Sequence, residues 1–330
     1  PLYSGGHTSI LRLGTELSKN GYDVRYFSIY DNETLEEMKS NAEATLAGYK
    51  GTFIDGSIED IETDVVIATQ WDTVYHAKKI NGYKMYFVQD YEPYFYMFGE
   101  AFIIAQKTYE LGFHMISLGA WNKHMVEKEC SIISPIDVIT FPYEGKEYYD
   151  KGRNFDEYPN KKEFNMAVYV KDTGKRAPYI CQYMVKRLKD DLLKDGITLN
   201  VKYYGESTDF KCDGGENIGK LTKAELLELY NNSDFGMVGS LTNISLVPYE
   251  MLATGLPIFE FKEGTFNYFF PTGSALVTSF DYNEFYKMFK NAINNPDVLK
   301  EINKVSTEYL NTLSWQNTGK ECVEILKRLK

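Results

Sequence analysis

One run of the chain joins a strand to a helix and that helix to a further strand. It reads Ser240-Leu241-Thr242-Asn243-Ile244-Ser245-Leu246-Val247-Pro248-Tyr249-Glu250-Met251-Leu252-Ala253-Thr254-Gly255-Leu256-Pro257 and follows the apolar segment Phe235–Val238. Because proline fits a helix best in its first turn, Pro248 predicts a helix that begins near Val247. Gly255 is typical of a helix C-terminus, and an apolar strand is predicted from Pro257 onward. The run therefore predicts a strand–helix–strand unit.

The loop in front of this helix has the features of an anion-binding site. A helix N-terminus carries unpaired N–H groups and a partial positive charge, which together suit a diphosphate. The amides of Ile244, Ser245 and Leu246 would lie at that end, and Glu250, one turn into the helix, could accept hydrogen bonds from ribose hydroxyls. The alternative is an ordinary capped helix in which Glu250 only complements the helix dipole.

The same alternation of apolar strands and amphipathic helices continues through the chain, which predicts an α/β fold with parallel sheets. A segment from about 142 to 162 lacks apolar periodicity, and we interpret it as a linker. We therefore predict two Rossmann-like domains, residues 1–150 and 151–330, that face a central cleft and bind ligands beyond the carboxyl ends of their strands. The predicted strands are Asp23–Tyr30, Asp64–Thr69, Met85–Gln89, His114–Leu118, Asp137–Phe141, Asn165–Val170, Thr198–Tyr204, Phe235–Val238, Pro257–Phe261 and Ala275–Thr278. After a first helix through Ile10 and Leu17, the predicted helices are Glu100–Leu111, Ala120–Cys130, Pro178–Lys194, Lys223–Asn232, Pro248–Thr254, Tyr282–Asn294, Val298–Leu313 and Gln316–Leu329.

A second candidate site is the basic loop between the predicted strand Asn165–Val170 and the helix Pro178–Lys194. It contains Lys171, Lys175 and Arg176. Three cations in a strand-to-helix loop predict a phosphate clamp, because lysine and arginine make charge-assisted hydrogen bonds to phosphate oxygens. The alternative is a solvated basic loop with no ligand.

Polar and aromatic residues also follow two strands of the first half. Asp72 lies in Thr69-Gln70-Trp71-Asp72, and Asp90 and Glu92 lie in Gln89-Asp90-Tyr91-Glu92-Pro93. Carboxylates accept hydrogen bonds from hydroxyl groups and aromatic rings pack on sugar faces, so we expect these strand ends to recognise a polyol. The alternative is strand-end capping with surface aromatic residues.

The glycine pair in Ser4-Gly5-Gly6-His7-Thr8 is read as a loop that leads into the first helix. Because glycine has no side chain, Gly5 and Gly6 would let the backbone approach a ligand closely. His7 could then contact an acceptor or a phosphate. The alternative is a plain turn.

Composition excludes several classes of protein. The 330 residues include 36 Lys and Arg against 47 Asp and Glu, a net charge of −11, which argues against nucleic acid as a partner. No apolar run is long enough to span a membrane. Four scattered cysteines predict a reducing compartment, so we expect a cytoplasmic protein, either free or at the inner face of the membrane.

No metal or cofactor is expected from the sequence. The four histidines show no metal-ligand spacing, and the sequence contains no Asp-x-Asp motif that could hold a divalent cation. A dinucleotide oxidoreductase is also disfavoured, because no Gly-x-Gly-x-x-Gly follows an early strand.

The second half of the chain resembles the donor-binding half of the retaining GT-B glycosyltransferases. The resemblance rests on Asn217-Ile218-Gly219, Leu229-Tyr230, Ser233-Asp234 and the run from Ser240 to Pro257. That family has two glutamates separated by seven residues, of which the second, matching Glu250, holds the ribose. The first is replaced here by Thr242, and the resemblance implies that Thr242 and Asn243 contact the donor sugar through neutral hydrogen bonds.

Further roles are implied by the same resemblance. Lys171, Lys175 and Arg176 match the basic residues that contact the donor pyrophosphate, and Gly5 and Gly6 match a loop over the donor phosphates. The last helix, about 314–330, crosses back to the N-terminal domain in these enzymes. Their first strand precedes the glycine-rich loop, so we expect the natural protein to extend upstream of Pro1.

A narrower resemblance is to bacterial rhamnosyltransferases that build cell-surface glycans. It is carried by Gln89-Asp90-Tyr91-Glu92-Pro93 and Tyr109-Glu110-Leu111-Gly112-Phe113. The implied function is metal-independent transfer of a hexose or deoxyhexose from a nucleoside-diphosphate sugar to a glycan acceptor, with retention. Two alternatives stay open: a nucleotide-sugar 2-epimerase with Asp90 and Glu92 as acid and base, and a non-catalytic glycan-binding module of a larger synthase.

Overall fold

The computed structural model describes residues 5–30 and 33–329. The chain forms two compact units, one of residues 1–142 with 313–330 and the other of residues 143–312. Within the described residues, no helix combines the length and the apolar character needed to cross a membrane.

Short parallel strands make up the sheets of both units. The strands are β1 (Arg25–Phe27), β2 (Thr52–Ile54), β3 (Glu62–Ala68), β4 (Asn81–Val88), β5 (His114–Leu118), β6 (Ile136–Ile139), β7 (Glu163–Tyr169), β8 (Thr198–Tyr204), β9 (Glu216–Asn217), β10 (Phe235–Met237), β11 (Ile258–Phe261) and β12 (Leu276–Thr278). Every strand pair is parallel. This confirms the predicted α/β class with parallel sheets.

Helices connect the strands. They are α1 (Gly5–Lys19), α2 (Leu35–Thr45), α3 (Trp71–Ala77), α4 (Glu100–Lys107), α5 (Ala120–Glu129), α6 (Pro178–Lys194), α7 (Lys223–Asn232), α8 (Val247–Ala253), α9 (Tyr282–Asn294), α10 (Pro296–Leu310) and α11 (Trp315–Lys327). Short 3-10 turns at 58–60, 92–95, 108–110, 155–160, 174–176 and 266–268 complete the described elements.

The first unit contains the strand pair β1-β2 and the four-stranded sheet β3-β4-β5-β6. Strand β5 is buried along its whole length, as expected for a parallel strand covered on both faces. Helix α11 packs against α1, where Leu13 and Leu17 join Val323 and Leu326 in one core cluster. Gly319 permits this close packing, because a Cβ there would lie 2.4 Å from Cβ of Glu16.

A cavity of about 1980 Å³ lies in the first unit between β1 and β3. Consecutive residues of both strands line it, together with apolar residues of α1 and α11. Side chains of a strand point alternately to its two faces, so a cavity that contacts every residue must adjoin the strand edge. The cavity is therefore bounded in part by the edges of β1 and β3 and by apolar residues of α1 and α11.

The second unit has one six-stranded sheet in the order β12-β11-β10-β7-β8-β9. Chain order runs outward in both directions from the neighbouring strands β7 and β10, which makes this pair the topological switch point. In open α/β sheets, ligands bind beyond the carboxyl ends of the strands at such a point. The loops that follow β7 and β10 are the basic loop and the run from Ser240 that the sequence analysis singled out.

Several predicted elements agree with the structure to the residue: β5, β8, α6, α7 and α9. The predicted strand Asp23–Tyr30 is shorter in the structure, and α2, α3 and β2 were not predicted. Helix α3 has only seven residues, which is too short for apolar periodicity to be evident.

Two predictions are corrected by the structure. Gly5, Gly6, His7 and Thr8 form the first turn of α1 and not a loop, and neither glycine has a positive φ; Ser4 lies outside the described residues. The unit boundary falls at 142/143 and not at 150/151.

The reason for the shifted boundary lies in the aromatic residues of the segment interpreted as a linker. The rings of Tyr143 and Tyr249 stack with their centroids 5.5 Å apart, and those of Tyr148 and Tyr230 lie 5.9 Å apart. These contacts make the start of the segment part of the second unit.

Candidate functional site

The loops after β7 and β10 are tied to each other. The amide of Leu241 donates to the carbonyl of Lys175 at 3.1 Å, and Nη2 of Arg176 donates to the carbonyl of Asn243 at 3.1 Å. Gly239 allows this approach, because a Cβ at that position would lie 2.5 Å from the carbonyl oxygen of Arg176. The two segments predicted separately to bind a diphosphate are therefore in contact and form one candidate site.

Several buried polar atoms of this site have no hydrogen-bond partner among the described residues, and three of them bear on ligand binding. They are Nη1 of Arg176, Oγ1 of Thr242 and Oγ of Ser245. An unsatisfied buried polar group costs about 1–3 kcal/mol, so each such group in a native structure calls for an explanation. A ligand rich in hydrogen-bond acceptors, such as a diphosphate sugar, would satisfy all three.

Helix α8 begins at Val247, as Pro248 predicted, with Leu246 at the N-cap position. The side chain of Ile244 is buried, which leaves only its backbone for ligand contacts, whereas Leu246 is about half exposed. The predicted contribution of the Ile244, Ser245 and Leu246 amides therefore depends on backbone groups next to the positive end of α8.

Arg176 is not solvated, in contrast to the alternative interpretation of the basic loop. Its side chain is buried, and no carboxylate of the described residues lies within ion-pair distance of it. The following residue, Ala177, has a φ of 46°, a left-handed conformation that is rare outside glycine. Non-glycine residues in this region are often found at ligand sites, where the surrounding structure holds them.

The two lysines of the basic loop are half-buried. Lys171 lies close enough to Glu206 to lower the pKa of that carboxyl, after the larger effect of two backbone hydrogen bonds to it. Lys175 contributes its carbonyl to the tie with Leu241. The structure thus brings all three predicted cations to one loop and buries only Arg176.

Glu250 lies one turn into α8, and its carboxylate accepts no hydrogen bond from the described residues. Burial raises the pKa of Glu250 to about 7, while the positive charge of Lys223 acts in the opposite direction. A carboxylate kept in a recess without partners suits the ribose role, because both oxygens remain available to accept hydrogen bonds from hydroxyl groups.

Tyrosines that the sequence analysis did not select surround Glu250. Burial raises the pKa of Tyr143, Tyr148, Tyr204 and Tyr230, and the charge of Glu250 raises each of them further. The hydroxyl groups of Tyr204 and Tyr230 lie 2.9 Å apart. Two of these residues come from the supposed linker, whose abundance of tyrosine was the one available signal.

In the first unit, Asp72 and Glu92 meet at the start of α3. The amide of Trp71 donates to Glu92 Oε2 at 2.6 Å, and Tyr30 donates its hydroxyl hydrogen to Asp72. Glu92 is 3% exposed, and burial raises its pKa to about 8. Its carboxylate thus caps a helix, and a role in proton transfer stays a prediction.

The remaining residues predicted in the first unit are more dispersed. Asp90 is 9% exposed and accepts a hydrogen bond from the Tyr91 amide at 2.9 Å. His7 is exposed on the first turn of α1, and it lines the cavity of the first unit, as do Gly6, Asp90 and Glu92. Gly5 adjoins open space, because a Cβ at that position would meet no atom of the described residues within 4 Å.

An aromatic pair lies beside these carboxylates. The ring nitrogen of Trp71 donates to the hydroxyl of Tyr96 at 2.9 Å, and the two rings pack edge to face. This group combines a carboxylate with aromatic surface, as polyol recognition requires. Within residues 5–30 and 33–329, no three His, Cys, Asp or Glu side chains are grouped so that they could hold a metal ion.

Comparison with known proteins identifies the fold. No protein-family model matches the chain. A curated relative, the O-antigen biosynthesis protein RfbC of Myxococcus xanthus, is 23% identical over 349 residues, covering 96% of this chain. The chain spans about a quarter of the length of that relative, 25%.

Solved structures of similar architecture cover almost the whole chain. Sucrose-phosphate synthase of Thermosynechococcus elongatus superposes with a TM-score of 0.69 at 12% identity, covering 99% of this chain and 94% of its own. HepE of Anabaena, solved in complex with UDP and glucose, has a TM-score of 0.69 at 10% identity, covering 98% and 96%. WaaG, a glycosyltransferase involved in lipopolysaccharide biosynthesis, has a TM-score of 0.63 at 13% identity, covering 98% and 96%. The chain therefore has the fold of the GT-B glycosyltransferases.

Proposed function

We propose that this protein is a glycosyltransferase that moves a hexose or deoxyhexose from a nucleoside-diphosphate sugar to a glycan acceptor during cell-surface polysaccharide synthesis. The observation that carries the proposal is the group of buried, unpartnered polar atoms of Arg176, Thr242 and Ser245 at the switch point of the second sheet. The similarity to RfbC, WaaG and the UDP-bound HepE supports it.

The candidate site residues of the second unit bind different parts of the donor in this proposal. Arg176, with Lys171 and Lys175, neutralises the diphosphate, and the positive end of α8 adds to this. Glu250 accepts hydrogen bonds from the ribose hydroxyls. Thr242 and Ser245 bind oxygens of the phosphate or of the sugar through neutral hydrogen bonds.

The reaction breaks the bond between the anomeric carbon and the phosphate oxygen. The electron pair of that bond leaves with the nucleoside diphosphate, and the acceptor oxygen bonds to the same face of the sugar, so the configuration is retained. The departing phosphate oxygen takes the acceptor proton. Fixed cations stabilise the charge that develops on the leaving group, an effect that is largest when the donors are preorganised. The proposed reaction uses no metal and no cofactor.

Acceptor recognition is proposed for the first unit. Asp72 has one carboxylate oxygen buried without a hydrogen-bond partner among the described residues, beside the packed rings of Trp71 and Tyr96. Such an oxygen can accept from a sugar hydroxyl while a ring covers the apolar face of the sugar. Rhamnose, which carries a methyl group at C5, is the proposed deoxyhexose because of the narrower resemblance described above.

The test measures release of nucleoside diphosphate from UDP-glucose, GDP-mannose and dTDP-rhamnose, with and without an oligosaccharide acceptor. Acceptor-dependent release supports transfer, and product analysis gives the anomeric configuration. Formation of a sugar epimer without acceptor would support the 2-epimerase alternative, and glycan binding without turnover would support the non-catalytic module. Arg176→Ala should abolish release. The matched control is Lys186→Ala, which removes an exposed lysine of α6 that pairs with Asp213.

A further inference from the structure

Glu260 is a fully buried residue of strand β11, and its carboxyl group contacts the loop after the neighbouring strand β10. Its Oε1 accepts from Oγ of Ser240 at 2.6 Å, and its Oε2 accepts from the amide of Ser240 at 3.2 Å. Burying a carboxylate is costly unless its hydrogen bonds compensate. Each carboxyl oxygen of Glu260 thus accepts a hydrogen bond from Ser240, the first residue of the candidate diphosphate loop.

The same loop is held from a second direction. The carbonyl of Ser240 accepts from the amide of Thr265 at 2.7 Å and from its hydroxyl at 3.1 Å, and that hydroxyl lies 2.5 Å from the carbonyl oxygen of Thr242. Gly264 permits the approach, since a Cβ there would lie 2.4 Å from the Ser240 carbonyl oxygen. The backbone from Ser240 to Thr242 is thus fixed between β11 and the segment after it.

The position of Arg176 depends on this backbone. The carbonyl of Asn243, the next residue, accepts the only hydrogen bond that the Arg176 side chain makes to the described residues. Nη1 of the same guanidinium is buried and has no partner among them. Moving the loop would therefore move the Asn243 carbonyl and change where Nη1 points.

Charge links the two residues as well. Burial raises the pKa of Glu260 to about 8, and the Ser240 hydrogen bonds and the positive charge of Arg176 act in the opposite direction. Burial raises the pKa of Cys181, on α6, and the charge of Glu260 raises it further. Arg176 is thus a cation whose charge acts on this buried carboxyl group.

We propose that Glu260 is a positioning residue for the donor site, which fixes the loop from Ser240 to Asn243 and through it aims Arg176 at the diphosphate. This inference rests on the proposed function, since it concerns the same site. Glu260 does not touch the donor itself. It acts from a neighbouring strand, and it lies outside the motif that the sequence analysis used.

Calorimetric titration with UDP, or with whichever of ADP, GDP and dTDP binds the wild type, tests the proposal in a double-mutant cycle. We expect Glu260→Ala to weaken binding by about tenfold and Arg176→Ala by about tenfold or more, each change corresponding to at least about 1.4 kcal/mol. Because Glu260 acts through Arg176, the double mutant should bind no more weakly than Arg176→Ala alone. When two residues act independently, the fold losses in affinity of the two single mutants multiply in the double mutant, whereas the losses of residues that act as a unit do not.

Two further variants separate positioning from stability. Glu260→Gln keeps an acceptor for the Ser240 amide and offers a donor to its hydroxyl, so it should restore binding to within about threefold. Ser240→Ala removes one of the two bonds without a large cavity, so it should weaken binding by a smaller factor even if Glu260→Ala does not fold. The matched control is Ser279→Ala, which removes a 2.6 Å serine–glutamate bond to Glu284 elsewhere in this unit.

The outcomes distinguish the two proposals. A folded Glu260→Ala protein that binds UDP as the wild type does would overturn the positioning role and leave the donor site intact. A double mutant whose loss equals the product of the single losses would also overturn it, because Glu260 would then have only a structural effect. A wild-type protein that binds none of the four nucleotides would overturn the proposed function and this inference together.

Discussion

Glu250→Gln should lower nucleotide affinity and at the same time stabilise the empty protein above neutral pH. In the wild type, burial raises the pKa of Glu250 to about 7, compared with about 4.3 for an unperturbed glutamate. The carboxylate is thus half protonated at about pH 7, and only its ionised form offers both oxygens as acceptors to ribose hydroxyls.

The magnitude for binding follows from this pKa. If only the ionised form binds the nucleotide well, affinity should fall about tenfold between pH 8 and pH 6, which corresponds to about 1.4 kcal/mol. In the Gln variant this dependence should disappear, and at pH 8 its affinity should be about 1–3 kcal/mol weaker than that of the wild type. Titrating phosphate oxygens of the ligand affect both proteins equally, so the difference between the two pH profiles isolates Glu250.

The effect on stability has the opposite sign. A glutamate with a raised folded pKa contributes stability below its unfolded pKa of about 4.3, and this is lost as the pH rises to about 7. Between a pKa of about 4.3 in the unfolded chain and about 7 in the folded protein, the loss is on the order of 3–4 kcal/mol. Glu250→Gln should therefore have a higher melting temperature than the wild type at pH 8 and about the same one at pH 4.5.

Calorimetric titration from pH 6 to 8.5 and thermal unfolding at the two pH values check both parts. Glu301→Gln, an exposed glutamate on α10 of the same unit, is the control and should change neither quantity. A Glu250→Gln protein with wild-type affinity at pH 8 would place the ribose elsewhere. A wild-type affinity that is independent of pH, combined with a weakened variant, would instead refute the raised pKa.

Three other predictions concern the loop, the metal and the helix contact. Lys175→Glu changes a half-buried loop residue and should weaken UDP binding by about 1.5–3 kcal/mol, while the free energy of unfolding changes by about 0.5 kcal/mol or less. If calorimetry and thermal unfolding show equal losses of binding free energy and of unfolding free energy, the substitution acts through the fold. Turnover in excess EDTA should stay largely intact, because cationic side chains occupy the diphosphate position; activity that vanishes and returns with Mg²⁺ or Mn²⁺ would contradict this. Gly319→Ala should destabilise the protein by about 1–3 kcal/mol in denaturant unfolding, because its Cβ would lie 2.4 Å from that of Glu16. The control is Gly5→Ala, which has open space around the new Cβ and should not destabilise the protein. Equal stabilities of the two variants would show that α1 and α11 can separate without cost.

Local sequence signals were sufficient to predict the α/β architecture and the helix that follows the candidate diphosphate loop. Pro248 placed the start of α8, and long amphipathic segments such as Pro178–Lys194 placed helices to the residue. These features depend on backbone sterics and side-chain periodicity, which neighbouring residues in the sequence determine. The basic loop and the run from Ser240 were both recognised as candidate phosphate contacts from local features, namely three cations in one loop and a helix N-terminus.

The sequence could not show which polar groups lose water on folding. Lys171, Lys175 and Arg176 look equivalent in the sequence, yet only Arg176 is buried, held by a carbonyl 67 positions further along the chain. Glu92 and Asp72 look equally available, yet Glu92 caps a helix through the Trp71 amide. Burial and pairing of this kind arise from contacts between distant segments, which no local pattern encodes.

The sequence by itself thus determined the strand–helix alternation, the parallel sheets and the two loops proposed to contact phosphate. Only the tertiary structure decided that these loops are one site, because the order of β7 and β10 within the sheet makes them neighbours. It also surrounded Glu250 with tyrosines from a segment without apolar periodicity and placed Glu260 of β11 behind Ser240. Proximity across a sheet depends on strand order, and strand order is set by how the strands and helices of each unit pack around its core.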